Sequence, residues 1–211
     1  MAINPKDLSK ESLDLNSNLK LFQIYKNLKR ESLKCDTYFQ VYEELFNKYV
    51  GKNITFVEVG VLQGGSLFMW KEYFGEKARI IGIDLHPNAK ELEKNGFEIY
   101  IGSQSDNNFW RNFYDKVGKI DILLDDGGHV NDQQIVTLSE SINNINDDGI
   151  IITEDVHTSY FKKFGNPSKY SFINYSKYLV DVVNSRFPET EIKKNNIFKK
   201  KIYSISFYDS I

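Results

Sequence analysis

Residues 54–66 of this chain read ITFVEVGVLQGGS, an apolar run that passes directly into a glycine-rich stretch. The run at 54–59 is short and almost continuously apolar, which is typical of a strand covered on both faces. Glycines at 60, 64 and 65 permit a tight turn and a close approach of backbone to a ligand. The stretch therefore predicts a buried strand that turns, at a ligand-binding loop, into a helix.

The same alternation of strand and helix continues toward the C-terminus. Further apolar runs predict four more strands: residues 79–85, 98–101, 120–124 and 150–153. Segments of helical length alternate with the strands: residues 64–74, 87–95, 106–117 and 131–145. A helix over 168–186 and a strand over 201–208 are predicted to complete the chain. The pattern favours an α/β fold, a Rossmann-like, doubly wound and mostly parallel sheet with helices on both faces.

The region before residue 54 has a helical pattern. Apolar residues recur at intervals of three and four from Leu21 to Leu28 and from Tyr38 to Phe46, which predicts two amphipathic helices. We expect these helices to pack on the sheet or on a second subunit, and the first twenty residues to form a loose arm. The chain is thus divided into an N-terminal helical extension, 1–50, and a main domain, 51–211.

Composition excludes several classes of protein. The chain of 211 residues carries 27 basic and 29 acidic side chains, so it offers no net positive field to attract nucleic acid. The late lysines, from Lys193 to Lys201, are interpreted as a solvated surface. No run approaches the ~18 apolar residues of a membrane span, and the single Cys35 suits a reducing compartment. We expect a cytoplasmic protein with no nucleic-acid or membrane partner.

The glycine loop and the next strand end indicate the kind of ligand. The spacing of the glycines does not fit G-x-G-x-x-G, so the dinucleotide fingerprint fails. Glu58 suits a cofactor with a cationic amino-acid end and would repel a pyrophosphate. Asp84 follows Gly60 by 84 − 60 = 24 residues, close to the ~20 expected before a ribose-binding acid. These features predict a nucleoside cofactor, with an ordinary glycine turn as the alternative.

Acidic residues crowd the ends of the fourth and fifth predicted strands. Asp125, Asp126 and His129 follow the fourth strand, and Glu154 and Asp155 follow the fifth. Neighbouring strands lie about 4.8 Å apart, and clustered carboxylates raise one another's pKa unless a positive charge lies among them. A divalent cation would supply that charge, and oxygen ligands favour Mg²⁺, Mn²⁺ or Fe²⁺ over zinc. The alternative is that Asp126 and Asp155 cap helices and that His129 is a loop histidine with its hydrogen bonds satisfied.

At these motifs the chain resembles the metal-dependent class I S-adenosylmethionine methyltransferases that act on sugar hydroxyls. This family is typified by macrolide (mycinamicin) sugar O-methyltransferases and includes cephalosporin hydroxylase-like proteins. The resemblance covers roughly residues 36–208. It rests on these motifs: EVGV at 58–61, GGSL at 64–67, GIDLH at 82–86, GSQSD at 102–106, DDGGH at 125–129, ED at 154–155 and TSY at 158–160.

The resemblance implies an O-methyltransferase that uses S-adenosylmethionine and a divalent metal, with Mg²⁺ the first choice. It implies three metal ligands, Asp126, Glu154 and Asp155, with His129 as the general base and Asp155 as the second catalytic residue. It also implies a cofactor-binding set: Glu58, Gly60, Gly64, Ser66, Asp84, Gln104 and Asp125.

The acceptor implied by the resemblance is a sugar or nucleotide-linked sugar, from a capsule, another glycan or a natural-product precursor. Tyr38, His157 and Tyr160 are candidates for contact with it, although Tyr160 could equally be a core residue. A homo-oligomer is compatible with this function. Two rival functions remain. A nicotinamide-dependent oxidoreductase is favoured by Asp84 but disfavoured by Glu58 and the glycine spacing. A non-catalytic subunit with the methyltransferase fold is disfavoured because a scaffold has no need of clustered carboxylates.

Overall fold

The computed structural model describes residues 2–165, 168–185 and 197–211. The N-terminal part contains two short strands and three helices: β1 (Ala2–Ile3), α1 (Lys10–Leu15), α2 (Lys20–Lys26), β2 (Lys34–Cys35) and α3 (Tyr38–Phe46). β1 pairs antiparallel with β2, and the side chain of Ser9 caps α1. The two amphipathic helices are confirmed. The prediction of a loose arm was wrong, because strand pairing and helix capping hold this segment in place.

A parallel sheet of five strands forms the centre of the described residues. Its members are β3 (Thr55–Val59), β4 (Arg79–Asp84), β5 (Glu98–Ile101), β6 (Ile120–Asp125) and β7 (Ile145–Thr153), in the order β5-β4-β3-β6-β7. The winding direction reverses between β3 and β6, and ligands of doubly wound sheets bind beyond the strand ends at such a point. The predicted fold class is confirmed, and β6 and β7 are neighbours as expected.

Among the described residues C-terminal to β3 there are four further α-helices: α4 (Gly65–Phe74), α5 (Asn107–Val117), α6 (Asn131–Ser141) and α7 (Phe172–Asn184). Residues Pro87–Asn95 form a 3₁₀ helix. α6 ends earlier than predicted because β7 already begins at Ile145. Residues 146–148 are polar, so the apolar run did not reveal the first part of this strand. The predicted helix 168–186 is shorter, and its last residue, Arg186, lies outside the described residues.

The strand predicted over 201–208 was wrong. Within the described ranges this segment joins no sheet, and Tyr203 is 91% exposed. Its apolar residue Ile202 packs instead against Leu179 and Val182 of α7. The apolar character of Ile202 therefore reflects contact with a helix and not pairing with a strand.

The sheet is covered on both faces, as the continuous apolar strands predicted. On one face Phe56 and Ile122 pack with α2, α3 and α4 in a single aromatic-rich core. On the other face Val57 and Leu123 pack against α5. The N-terminal helices thus pack on the sheet of the same chain. None of the helices in the described ranges has the length and apolar character required to cross a membrane.

Candidate active site

A cleft of about 640 Å³ lies at the carboxyl ends of the strands. Residues that follow β3, β4, β5 and β6 line it, among them Gly60, Asp84, Gln104 and Gly127. Residues 31–33, with Ala2, close one side. The volume falls in the range of about 300–1,000 Å³ that is common for small-molecule and cofactor sites.

The glycine loop brings the end of β3 close to the loop after β6. Gly60 and Gly64 both have a left-handed backbone, with φ of 84° and 81°. A Cβ atom on Gly60 would lie 2.2 Å from the carbonyl oxygen of Asp126. Gly60 is therefore required by the approach of the two loops as well as by the turn.

Glu58 and Ser66 form one buried pair beside the glycine loop. The Ser66 hydroxyl donates to Glu58 Oε2 at 2.6 Å, and Trp70 Nε1 donates to Oε1 at 3.2 Å. Burial raises the pKa of Glu58, and the ammonium of Lys34, 3.3 Å from Oε1, opposes this effect. Ser66 lines the cleft, whereas Glu58 lies beneath it with no exposed surface.

Asp84 lies at the cleft surface and organises two loops. Its carboxylate accepts the backbone N–H of Val61 at 3.0 Å and that of His86 at 2.8 Å. A carboxylate has about four lone-pair sites, so acceptor capacity remains for a ligand. This last residue of β4 is the one that the sequence predicted to be a ribose-binding acid.

Gln104 braces the loop that follows β6. Its amide nitrogen donates to Asp125 Oδ1 at 2.9 Å and to Thr137 at 3.0 Å, and its oxygen accepts the N–H of Gly128 at 2.8 Å. Burial raises the pKa of Asp125 to about 6, although hydrogen bonds from Gln104 and Gly127 oppose the shift. Asp125 Oδ2 is buried without a hydrogen-bond partner among the described residues.

Asp126, His129 and Asp155 converge at the edge of the cleft. One ligand atom from each lies within 4.8 Å of the others. His129 Nε2 is 3.5 Å from Asp155 Oδ2 and 4.0 Å from Asp126 Oδ1. His129 and Asp155 have φ of 57° and 55°. Such strained backbone is uncommon outside glycine and concentrates at functional sites.

A lysine that the sequence analysis missed lies among the carboxylates. Lys34 is 1% exposed, and its Nζ is 2.6 Å from Asp126 Oδ2, 3.1 Å from Glu154 Oε1 and 3.3 Å from Glu58 Oε1. An ammonium has three donors, and each carboxylate receives one. Burial by itself would lower the pKa of Lys34, but the attraction of the three carboxylates outweighs it and raises the pKa. Lys34 therefore supplies part of the positive charge that the sequence analysis assigned to a metal.

Glu154 lies apart from the convergent set. It is 1% exposed, and the Tyr42 hydroxyl donates to the Oε1 atom that also faces Lys34. Burial raises the pKa of Glu154 well above its usual range, with a further contribution from Asp126 that Lys34 offsets. Of the three predicted metal ligands, the structure brings Asp126 and Asp155 together with His129 and directs Glu154 to Lys34.

The three acceptor-side candidates lie in different environments. Tyr38 is 1% exposed, and its hydroxyl donates to Asp155 Oδ1 at 2.6 Å, so it lies behind the site. His157 Nδ1 is hydrogen-bonded to the Ser210 hydroxyl. Tyr160 is 61% exposed, at the end of the turn that Asp155 begins. Only Tyr160 therefore presents most of its ring to solvent.

Comparison with solved structures defines the fold. The MycE methyltransferase from the mycinamycin biosynthetic pathway, solved in complex with Mg and SAH, matches with a TM-score of 0.77 at 22% identity. The match covers 96% of this chain and 53% of that one. The chain thus has the Rossmann-like fold of class I methyltransferases.

Sequence comparison confirms the predicted resemblance to sugar O-methyltransferases. The 8-demethyl-8-alpha-L-rhamnosyl tetracenomycin-C 2'-O-methyltransferase of Streptomyces olivaceus is 33% identical over 135 residues, which are 61% of this chain and 35% of that protein. The mycinamicin VI 2''-O-methyltransferase of Micromonospora griseorubida is 28% identical over 131 residues, 59% of this chain and 32% of that protein. The chain therefore spans about a third of the length of these relatives. No family model matches the chain.

Proposed function

We propose that this chain is an O-methyltransferase that transfers a methyl group from S-adenosylmethionine to a sugar hydroxyl, with a divalent metal as cofactor. The observation that carries the proposal is the convergence of Asp126, His129 and Asp155 beside a cleft formed by a glycine loop and a ribose-type acid. The relatives are named as O-methyltransferases, one of them of a rhamnosyl tetracenomycin, which supports the same reaction class.

The residues around the cleft fit an S-adenosyl ligand. Asp84 would accept the ribose hydroxyls, and Gly60, which lines the cleft, lets the loop after β6 lie against the end of β3. Ser66 lines the cleft and donates to the buried Glu58, whose negative charge favours a cationic amino-acid end. Gln104 donates to Asp125 Oδ1 and so fixes the orientation of that carboxylate. Asp125 Oδ2 has no hydrogen-bond partner among the described residues and can accept a hydrogen bond from a ligand.

The convergent set also fits a hard divalent cation. Two carboxylate oxygens and an imidazole nitrogen within 4.8 Å are suitable donors for Mg²⁺, Mn²⁺ or Fe²⁺. We place Asp126 and Asp155 in the metal set. Glu154 is a weaker candidate than the sequence suggested, because both of its oxygens lie within hydrogen-bond distance of the Lys34 ammonium and Oε1 also accepts the Tyr42 hydroxyl. When bound, the cation lowers the pKa of an acceptor hydroxyl and S-adenosylmethionine provides an activated methyl group.

His129 is proposed as the general base. Its Nε2 faces the open side of the carboxylates, where an acceptor hydroxyl would lie, and imidazole is suited to proton transfer near neutral pH. Asp155 stabilises the imidazolium that forms, since its Oδ2 is 3.5 Å away. Direct ligation of the metal by His129 is the second role that this geometry allows.

The acceptor is proposed to be the sugar of a small molecule. The relatives' names specify a rhamnosyl tetracenomycin and mycinamicin VI, so a glycosylated natural product is the first candidate. Nucleotide-linked sugars and polysaccharide precursors are further candidates. The exposed ring of Tyr160, next to the Asp155 turn, provides an apolar surface for a sugar face.

Substitution of Asp84 tests the cofactor assignment. Asp84→Ala should weaken binding of S-adenosylhomocysteine at least tenfold, because each charge-assisted hydrogen bond to the ribose contributes about 1.5–3 kcal/mol. Isothermal titration calorimetry measures the affinity, and Asp115→Ala, an exposed position on α5, is the matched control. Equal affinity in the Asp84 variant and the control would remove the ribose site from the account.

A further inference from the structure

In each carboxylate of the candidate metal set, one oxygen binds a buried donor and the other oxygen faces His129. On Asp126, Oδ2 binds the buried Lys34 ammonium at 2.6 Å, while Oδ1 is the atom nearest His129, at 4.0 Å. On Asp155, Oδ1 accepts the Tyr38 hydroxyl at 2.6 Å, while Oδ2 lies 3.5 Å from His129. Asp126 and Asp155 lie on separate loops, yet both have one oxygen bound to a buried donor and the other oxygen toward His129.

The contact between Tyr38 and Asp155 is reciprocal. The backbone N–H of Asp155 donates to the Tyr38 oxygen at 3.3 Å, which directs the hydroxyl proton toward the carboxylate. The carbonyl of Ser210 is the competing acceptor, but it is more distant, at 3.4 Å. Burial and the bond to Asp155 raise the pKa of Tyr38, so it remains a donor at neutral pH.

Both donors belong to one short segment that strand pairing and core packing hold in place. Lys34 lies on β2, which pairs with β1, and Tyr38 is the first residue of α3, which packs in the core. Each donor is 1% exposed. Groups behind a metal's ligands orient those ligands and tune their affinity, and a partner fixed by packing does so at little entropic cost.

We propose that Tyr38 and Lys34 are positioning residues of the metal site, each binding one oxygen of a ligand carboxylate and leaving Asp126 Oδ1 and Asp155 Oδ2 for the cation. The inference rests on the proposed function, because it assigns these donors to that metal site. It makes residues 34–38 an integral part of the active site, although they precede the first strand of the parallel sheet.

Tyr38→Phe tests this proposal, because it removes one hydroxyl and leaves the charge of the site unchanged. Mg²⁺ is titrated calorimetrically into the full chain saturated with S-adenosylhomocysteine. We expect Mg²⁺ to bind about 10- to 100-fold more weakly than to the wild type, the usual cost of losing such a partner. Affinity for S-adenosylhomocysteine and the melting temperature should change little.

Tyr49→Phe is the matched control. The hydroxyl of this buried tyrosine donates to the carbonyl of Asp148 at 2.6 Å, near the amino-terminal end of β7, so Mg²⁺ affinity should stay at the wild-type value. Unchanged Mg²⁺ affinity in Tyr38→Phe overturns the inference while leaving the proposed function intact. A parallel loss of Mg²⁺ affinity, S-adenosylhomocysteine affinity and melting temperature also overturns it, since Tyr38 would then be merely structural. A wild-type protein that takes up no Mg²⁺ contradicts the proposed function itself.

Discussion

Replacement of His129 by alanine or glutamine should lower kcat by roughly 10²–10⁴, the usual contribution of a positioned acid–base group. His129 follows Asp126 by three residues, and its left-handed backbone turns Nε2 toward both carboxylates of the set. Removal of the imidazole leaves Gly60, Asp84 and the other cofactor residues in place. Affinity for S-adenosylhomocysteine should therefore barely move.

Steady-state kinetics with S-adenosylmethionine and a glycosylated acceptor, run beside a metal titration of the same variant, measures this effect. The titration separates the two roles of His129. A variant whose rate recovers in excess metal would identify His129 as a ligand, and one with near-normal kcat would exclude it as the base. A lower rate at saturating metal, with unchanged melting temperature, is the expected result.

Removal of the metal should abolish turnover, and Mg²⁺ or another oxygen-preferring divalent ion should restore it. The reason is that Asp126, His129 and Asp155 converge beside the cleft in an arrangement that suits a divalent cation, and the proposed reaction needs that cation to lower the pKa of the acceptor hydroxyl. Activity is measured after exhaustive treatment with EDTA and again after addition of each metal. Full activity in the chelated protein would show that the cluster is structural.

Binding of S-adenosylhomocysteine to the chelated protein is the control for that experiment. Asp84 lies on the other side of the switch point from Asp155, and its carboxylate accepts the backbone N–H groups of Val61 and His86, which do not belong to the convergent set. Cofactor affinity should consequently survive chelation. Loss of cofactor binding together with activity would indicate that EDTA had unfolded the site and not merely emptied it.

The sequence was sufficient for the fold and for the edge at which the site lies, because both depend on local patterns. Apolar runs identified all five strands of the parallel sheet, and the acids that follow β6 and β7 were placed together by strand adjacency. The last predicted strand failed because Ile202 has the same apolar character whether it faces a helix or a neighbouring strand.

The partners of the carboxylates could not be predicted in the same way. Lys34 is 92 residues from Asp126 and 120 from Glu154, and Tyr38 is 117 from Asp155. No local pattern marks such pairs, and lysine is among the residue types least expected to be buried. The excess of negative charge was the only signal, and a metal and a lysine satisfy it equally well in a sequence.

The proposed function requires that the cleft bind an S-adenosyl cofactor and not a nicotinamide cofactor. Asp84 does not distinguish them, since an acid at this position can bind the ribose of either one. Calorimetric titration of the wild-type chain with S-adenosylhomocysteine and, separately, with NAD measures it directly. We expect S-adenosylhomocysteine to bind and NAD not to bind, because the glycines at 60, 64 and 65 lack the G-x-G-x-x-G spacing that receives a dinucleotide pyrophosphate. Binding of NAD without binding of S-adenosylhomocysteine would contradict the account.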